Sequence, residues 1–115
     1  GVRYVSELAY REFLEDEIQE NEYFGEEIKN KFRYYPTVTR ENFYNEGRIS
    51  DLLVSGKLFS DLGVGKACVE RDRIMSCGGP SMLKQLCLIL EGQGFEQSRQ
   101  GVQAHYTIER AFVEQ

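Results

Sequence analysis

Apolar residues near the start of the chain recur at helical spacing: Val5, Leu8, Ala9, Phe13, Leu14 and Ile18 fall near one face, with Ser6 placed as a cap and Glu7 in the first turn. This spacing predicts a first helix over 6–20. A second short helical piece is expected around residues 23–30. The stretch FRYYPTV then switches to aromatic and β-branched residues, is broken by Pro36, and reads as a strand ending near Val38. From Gly47 the helical period returns, with Ile49, Leu52 and Leu53 on one face until Gly56 interrupts it. A glycine-containing connection leads to the short apolar run DRIMSC and then to CGGP. Pro80 suits the first turn of a helix whose inner face is Met82, Leu83, Leu86, Cys87 and Leu90, and Gly92 suits its C-terminal cap. In HYTIERAF, Tyr106 and Ile108 alternate against Thr107 and Glu109, the mark of a last strand. Strands and helices alternating in this order predict an α/β fold, an open parallel sheet with flanking helices. There is no internal repeat and no low-complexity segment.

Length and charge narrow the function classes. At 115 residues the chain has room for one domain, and one core is expected. A net charge of −5 and a pI near 5.0 argue against a nucleic-acid partner, which would require basic residues gathered on one face. No apolar run approaches the roughly 20 residues needed to cross a bilayer, and the opening GVRYVSELAY lacks the basic start and apolar centre of a secretion signal. No membrane association is expected, and the protein reads as soluble and cytoplasmic. Cys68, Cys77 and Cys87 are odd in number and not closely paired, and His105 is the only histidine, so no metal site is expected. The chain opens on Gly1, Val2 and Arg3 without an initiator Met, which reads as a piece cut from something longer.

In an open parallel sheet, the loops at the C-terminal strand ends form the ligand crevice, so residues 39–48 and 77–80 are expected to converge on one site. A helix beginning at Pro80 would offer free backbone N–H groups, and Gly78 and Gly79 carry no side chains to block close approach. Arg40 and Arg48 admit two readings. They are solvated loop residues paired with Glu41 and Glu46, or they meet a small anion. Cys77 is likewise either a small residue filling a strand end or part of a site. Taken singly, these residues leave both readings open.

Their combination points further. PTVTRE with F.N.GRI.DL and SGKLF.DLG behind it, then DR.M.CG.P.ML, then Y.IERAFVE, closely resembles the C-terminal half of the bacterial ferredoxin (flavodoxin)–NADP+ reductases. The likeness runs through nearly all 115 residues and is weakest at GVGKACVER. It implies a ferredoxin reductase-like NADP-binding domain over 1–115, N-terminally truncated, with a flavin-contacting tail at 111–115. It further implies that Thr39, Arg40 and Arg48 hold the 2′-phosphate of NADP(H), with Arg3 also directed toward the adenosine phosphate. Two guanidinium forks and a hydroxyl suit a group carrying close to two negative charges. By the same resemblance Cys77 and Glu109 lie beside the reacting nicotinamide, with Gly78 next to it. Ala111, Phe112, Val113, Glu114 and Gln115 would contact FAD, Phe112 against its adenine part. The family's usual terminal Lys is Gln115 here.

The resemblance also implies what lies outside these residues: an FAD-binding β-barrel domain of the same chain, and a strand ending in a glycine-rich GTG.AP turn. The leading expectation is the NADP(H)-binding portion of an FAD-dependent enzyme passing electrons between NADPH and ferredoxin or flavodoxin. The isolated piece is expected to be inactive. Two alternatives stand beside it: a non-catalytic nucleotide-binding or interaction module, and the reductase component of an oxygenase system.

Overall fold

The computed structural model describes residues 1–110, and it resolves into two compact units, Gly1–Leu52 and the residues from Leu53 onward. No helix among the described residues is long and apolar enough to cross a membrane.

In the first unit, the helix expected over 6–20 is broken into three short pieces. They are a 3₁₀ turn at Val5–Glu7, helix α1 at Arg11–Glu15 and a second 3₁₀ turn at Glu17–Glu20. The apolar spacing fits one helix, but local bonding wins. The Glu7 carboxylate accepts the backbone N–H groups of Arg3 at 3.1 Å and Tyr4 at 3.0 Å, which closes a tight turn. Leu8 is then extended, and Tyr10 takes a φ of 59° in the left-handed region that non-glycine residues enter at a cost. Helix α2, Gly25–Lys31, meets its expectation within a residue or two. The Asn21 side chain accepts from the N–H groups of Tyr23 and Phe24 ahead of it, and its acidic first turn and basic last turn match the helix dipole.

Residues 32–38 contribute no extended strand to a sheet. Pro36 removes a backbone donor, and pairing concentrates on Val38, which is fully buried. Val38 forms parallel bridges to Val2 on one side and Glu46 on the other. The supporting bonds run from Val2 N–H to the Thr37 carbonyl (2.9 Å), Thr39 N–H to the Val2 carbonyl (3.1 Å), Val38 N–H to the Asn45 carbonyl (3.1 Å) and Gly47 N–H to the Val38 carbonyl (3.0 Å).

Helix α3, Ile49–Ser55, and helix α4, Lys57–Leu62, are separated by Gly56 as the pattern predicts. The second unit then holds the sheet: β1 (Ile74–Gly78), helix α5 (Pro80–Gly92) and β2 (Tyr106–Arg110), with β1 and β2 parallel. This establishes an α/β chain with a parallel sheet and flanking helices. Pro80 opens α5, whose buried positions Leu83, Leu86 and Leu90 are spaced to make one face. The turn after it uses Gly94, at a φ of 90°, rather than Gly92. Leu90, Phe95 and Tyr106 form the buried centre, with Leu53, Ala67, Val69, Ile74, Cys87 and Ile108 packed around it.

Tyr106 ties the strand to the helix, because its hydroxyl donates to Glu91 Oε1 at 3.1 Å from an otherwise buried ring. Burial, then the neighbouring Cys87 and Glu91, push its phenol well above the usual tyrosine range. The folded state therefore retains a proton that the unfolded chain releases above about pH 10, so this contribution is intact below pH 10 and fades as pH rises beyond it. We expect Tyr106→Phe to cost about 1 kcal/mol at pH 7 through the lost hydrogen bond. Its urea-unfolding curve should fall less steeply between pH 9 and 11 than that of the unsubstituted chain; equal slopes would remove Tyr106 as the cause.

Candidate functional site

The three bridged segments of the first unit each run directly into an arginine. Val2 is followed by Arg3, Val38 by Thr39 and Arg40, and Glu46 by Gly47 and Arg48. All three segments are parallel, so these residues gather at one end, the C-terminal end where α/β proteins place ligand-binding groups. The Arg40 N–H donates to the Arg3 carbonyl at 2.9 Å, setting those two residues side by side at the backbone. Gly47 turns the third segment with a φ of 124°, which residues with a Cβ rarely adopt, and so delivers the chain to Arg48 and the start of α3. Thr39, Arg40 and Arg48 are all exposed.

The carboxylates that could neutralise this cluster are engaged elsewhere. Glu41 accepts from the backbone N–H of Val5, and Glu46 accepts from that of Phe43 at 3.1 Å. Among the described residues neither Arg40 nor Arg48 forms an ion pair, so the reading in which they pair with Glu41 and Glu46 does not hold. Arg3 differs: its Nη2 meets Glu7 Oε2 at 2.7 Å. That partner escaped the sequence reading, although its signal, opposite charges four residues apart, is present in RYVSE. The donor set of three guanidinium groups and the Thr39 hydroxyl fits a dianionic phosphate.

In the second unit, the parallel register sets Cys77 directly across from Glu109, and Gly78 across from Arg110. Met75, Cys77, Thr107 and Glu109 make one exposed face of the two strands, while Ser76 and Tyr106 are buried on the other. Cys77 is thus an exposed thiol at the C-terminal end of β1, not a buried filler. A Cβ at Gly78 would lie 2.6 Å from the Met82 sulfur, so Met82 would have to shift to admit a side chain there. Ala111, Phe112, Val113, Glu114 and Gln115 lie outside the described residues. His105 serves the fold, its Nδ1 accepting the Glu96 N–H at 2.8 Å.

The arginine cluster and the Cys77–Glu109 pair belong to different units, and each stands as its own arrangement. Both lie where parallel strands end, the edge at which α/β proteins commonly bind ligands. Comparison with known proteins goes further. No family-level profile matches. The chain is 53% identical over 115 residues to a ferredoxin–NADP reductase of Azotobacter vinelandii, covering 99% of this chain and 45% of that protein. It is 51% identical over 115 residues to a ferredoxin–NADP reductase of Pseudomonas aeruginosa, with the same coverage. It is 40% identical over 111 residues to a flavodoxin/ferredoxin–NADP reductase of Rhodobacter capsulatus, covering 96% of this chain and 41% of that protein. Over nearly its whole length the chain is similar to these ferredoxin–NADP reductases, and it spans less than half of theirs.

Proposed function

We propose that these residues are the NADP(H)-binding, C-terminal portion of an FAD-dependent ferredoxin or flavodoxin–NADP+ reductase. The observation that carries this reading is the convergence of three parallel segments on Arg3, Arg40 and Arg48, with Arg40 and Arg48 unpaired among the described residues. Thr39, Arg40 and Arg48, with Arg3 beside them, bind the 2′-phosphate through charge-assisted hydrogen bonds. A lone carboxylate accepting a bare ribose hydroxyl would favour NAD instead, and here Glu41 and Glu46 already accept backbone N–H groups.

NADPH, when bound, would supply a hydride for transfer to a flavin held by the rest of the protein. The chain's own contribution is alignment. Cys77 and Glu109, opposed across the strands, form a short polar ledge against which a nicotinamide ring would rest, and Gly78 and Gly79 let it approach the backbone. The segment 111–115 would complete the flavin side, and ferredoxin or flavodoxin would receive the electrons. Wild-type full-length protein should bind adenosine 2′,5′-bisphosphate far more tightly than AMP; equal affinity would sink the phosphate site.

The nicotinamide half has its own test. Cys77→Ala or Glu109→Gln in the full-length protein should lower kcat about tenfold while changing NADPH affinity little, because alignment is needed most at the transition state. A loss confined to affinity would reassign both residues to ordinary binding. The reading as a non-catalytic module predicts a full-length protein without flavin, which its visible absorption spectrum would reveal.

A further inference from the structure

Arg3 is the one arginine of the cluster with an ion pair among the described residues, and that pair is built into the local fold. Glu7 Oε1 accepts the backbone N–H groups of Arg3 and Tyr4, while Oε2 accepts from the Arg3 guanidinium at 2.7 Å. One carboxylate therefore fixes both the backbone turn and the side chain it launches. We propose that Glu7 is a positioning residue that pre-orients Arg3 toward the phosphate of the nucleotide; the inference rests on the phosphate reading above.

The physical reason is the freedom of an arginine. A long exposed side chain must be immobilised when it grips an anion, and that ordering opposes binding. Glu7 imposes much of the ordering beforehand and engages one guanidinium nitrogen, leaving the others for a ligand. The Arg40 N–H bond to the Arg3 carbonyl anchors the base of the side chain from the other side. The Arg3 guanidinium also holds the Glu7 carboxyl below the usual carboxylate range, so the pair is charged at neutral pH.

The test uses Glu7→Gln in the full-length protein that carries these residues. Its amide oxygen can still accept the two backbone N–H groups, but the charge on Arg3's partner is gone. Titrations use adenosine 2′,5′-bisphosphate and AMP as probes. The bisphosphate should bind about threefold to fivefold more weakly, the range open to a partly exposed ion pair, and AMP should be unaffected. On an Arg3→Ala background the same substitution should change nothing further. Tighter bisphosphate binding in Glu7→Gln would overturn the proposal, since Glu7 would then compete with the phosphate for Arg3. An equal loss with AMP, or one that persists without Arg3, would overturn it as well. If Arg3→Ala, Arg40→Ala and Arg48→Ala leave bisphosphate binding intact, the phosphate site itself fails. If they weaken it while Glu7→Gln does not, only the role of Glu7 fails.

Discussion

Replacing Arg40 or Arg48 by Ala is expected to weaken NADPH binding by about tenfold to more than a hundredfold while leaving NADH nearly unchanged. A charge-assisted hydrogen bond to a phosphate is worth about 1.5–3 kcal/mol, and each 1.4 kcal/mol is tenfold in affinity. Neither arginine holds a carboxylate among the described residues, so removing one breaks no ion pair there and leaves the neighbouring Glu41 and Glu46 bonds in place. The loss should therefore fall on the ligand rather than on folding. Because both side chains are exposed, the penalty should shrink as salt rises from 50 to 500 mM. KM and kcat for both nucleotides, in the full-length protein and in each variant, decide the matter. Equal losses for NADPH and NADH, or none, would return both residues to the status of ordinary loop arginines.

Phe95→Ala is expected to destabilise the chain by about 3–5 kcal/mol, a large part of the roughly 5–15 kcal/mol that a domain commands. Phe95 is 1% exposed and completes the buried centre with Leu90 and Tyr106. Its ring meets His105 edge-on at 6.0 Å between centroids, and its N–H closes the end of α5 on the Leu90 carbonyl. Truncation leaves a cavity between the helix and β2 and loosens the turn through Gly94. Tyr23→Ala, at a side chain 85% exposed, should change stability by no more than about 0.5 kcal/mol. Urea unfolding of the three proteins measures both values, and a Phe95→Ala loss below about 1 kcal/mol would mean that the centre repacks.

Elements with strong local signals could be read from the residues alone. Pro80 followed by leucines at helical spacing specified α5, and alternation in HYTIERAF specified β2, because both depend on period and on end chemistry carried by adjacent residues. The motifs were legible too: PTVTRE and ERAFVE pointed to the ferredoxin–NADP reductases, and the relatives that match this chain carry that name. Where a few backbone bonds competed with a periodic pattern, the sequence misled. The helix expected over 6–20 gave way at Glu7 and Tyr10, and the strand expected over 32–38 shrank to the bridges of Val38.

Which residues meet was settled by contacts between distant segments. The spacing of Arg40 and Arg48 was equally compatible with surface ion pairs; instead the backbone N–H groups of Val5 and Phe43 occupy Glu41 and Glu46, and the bond from the Arg40 N–H to the Arg3 carbonyl sets those two residues side by side. The sheet register did the same for Cys77 and Glu109, which are 32 positions apart in sequence yet face each other across β1 and β2. Register and partner choice depend on contacts between distant segments, and no periodicity within a single segment encodes them.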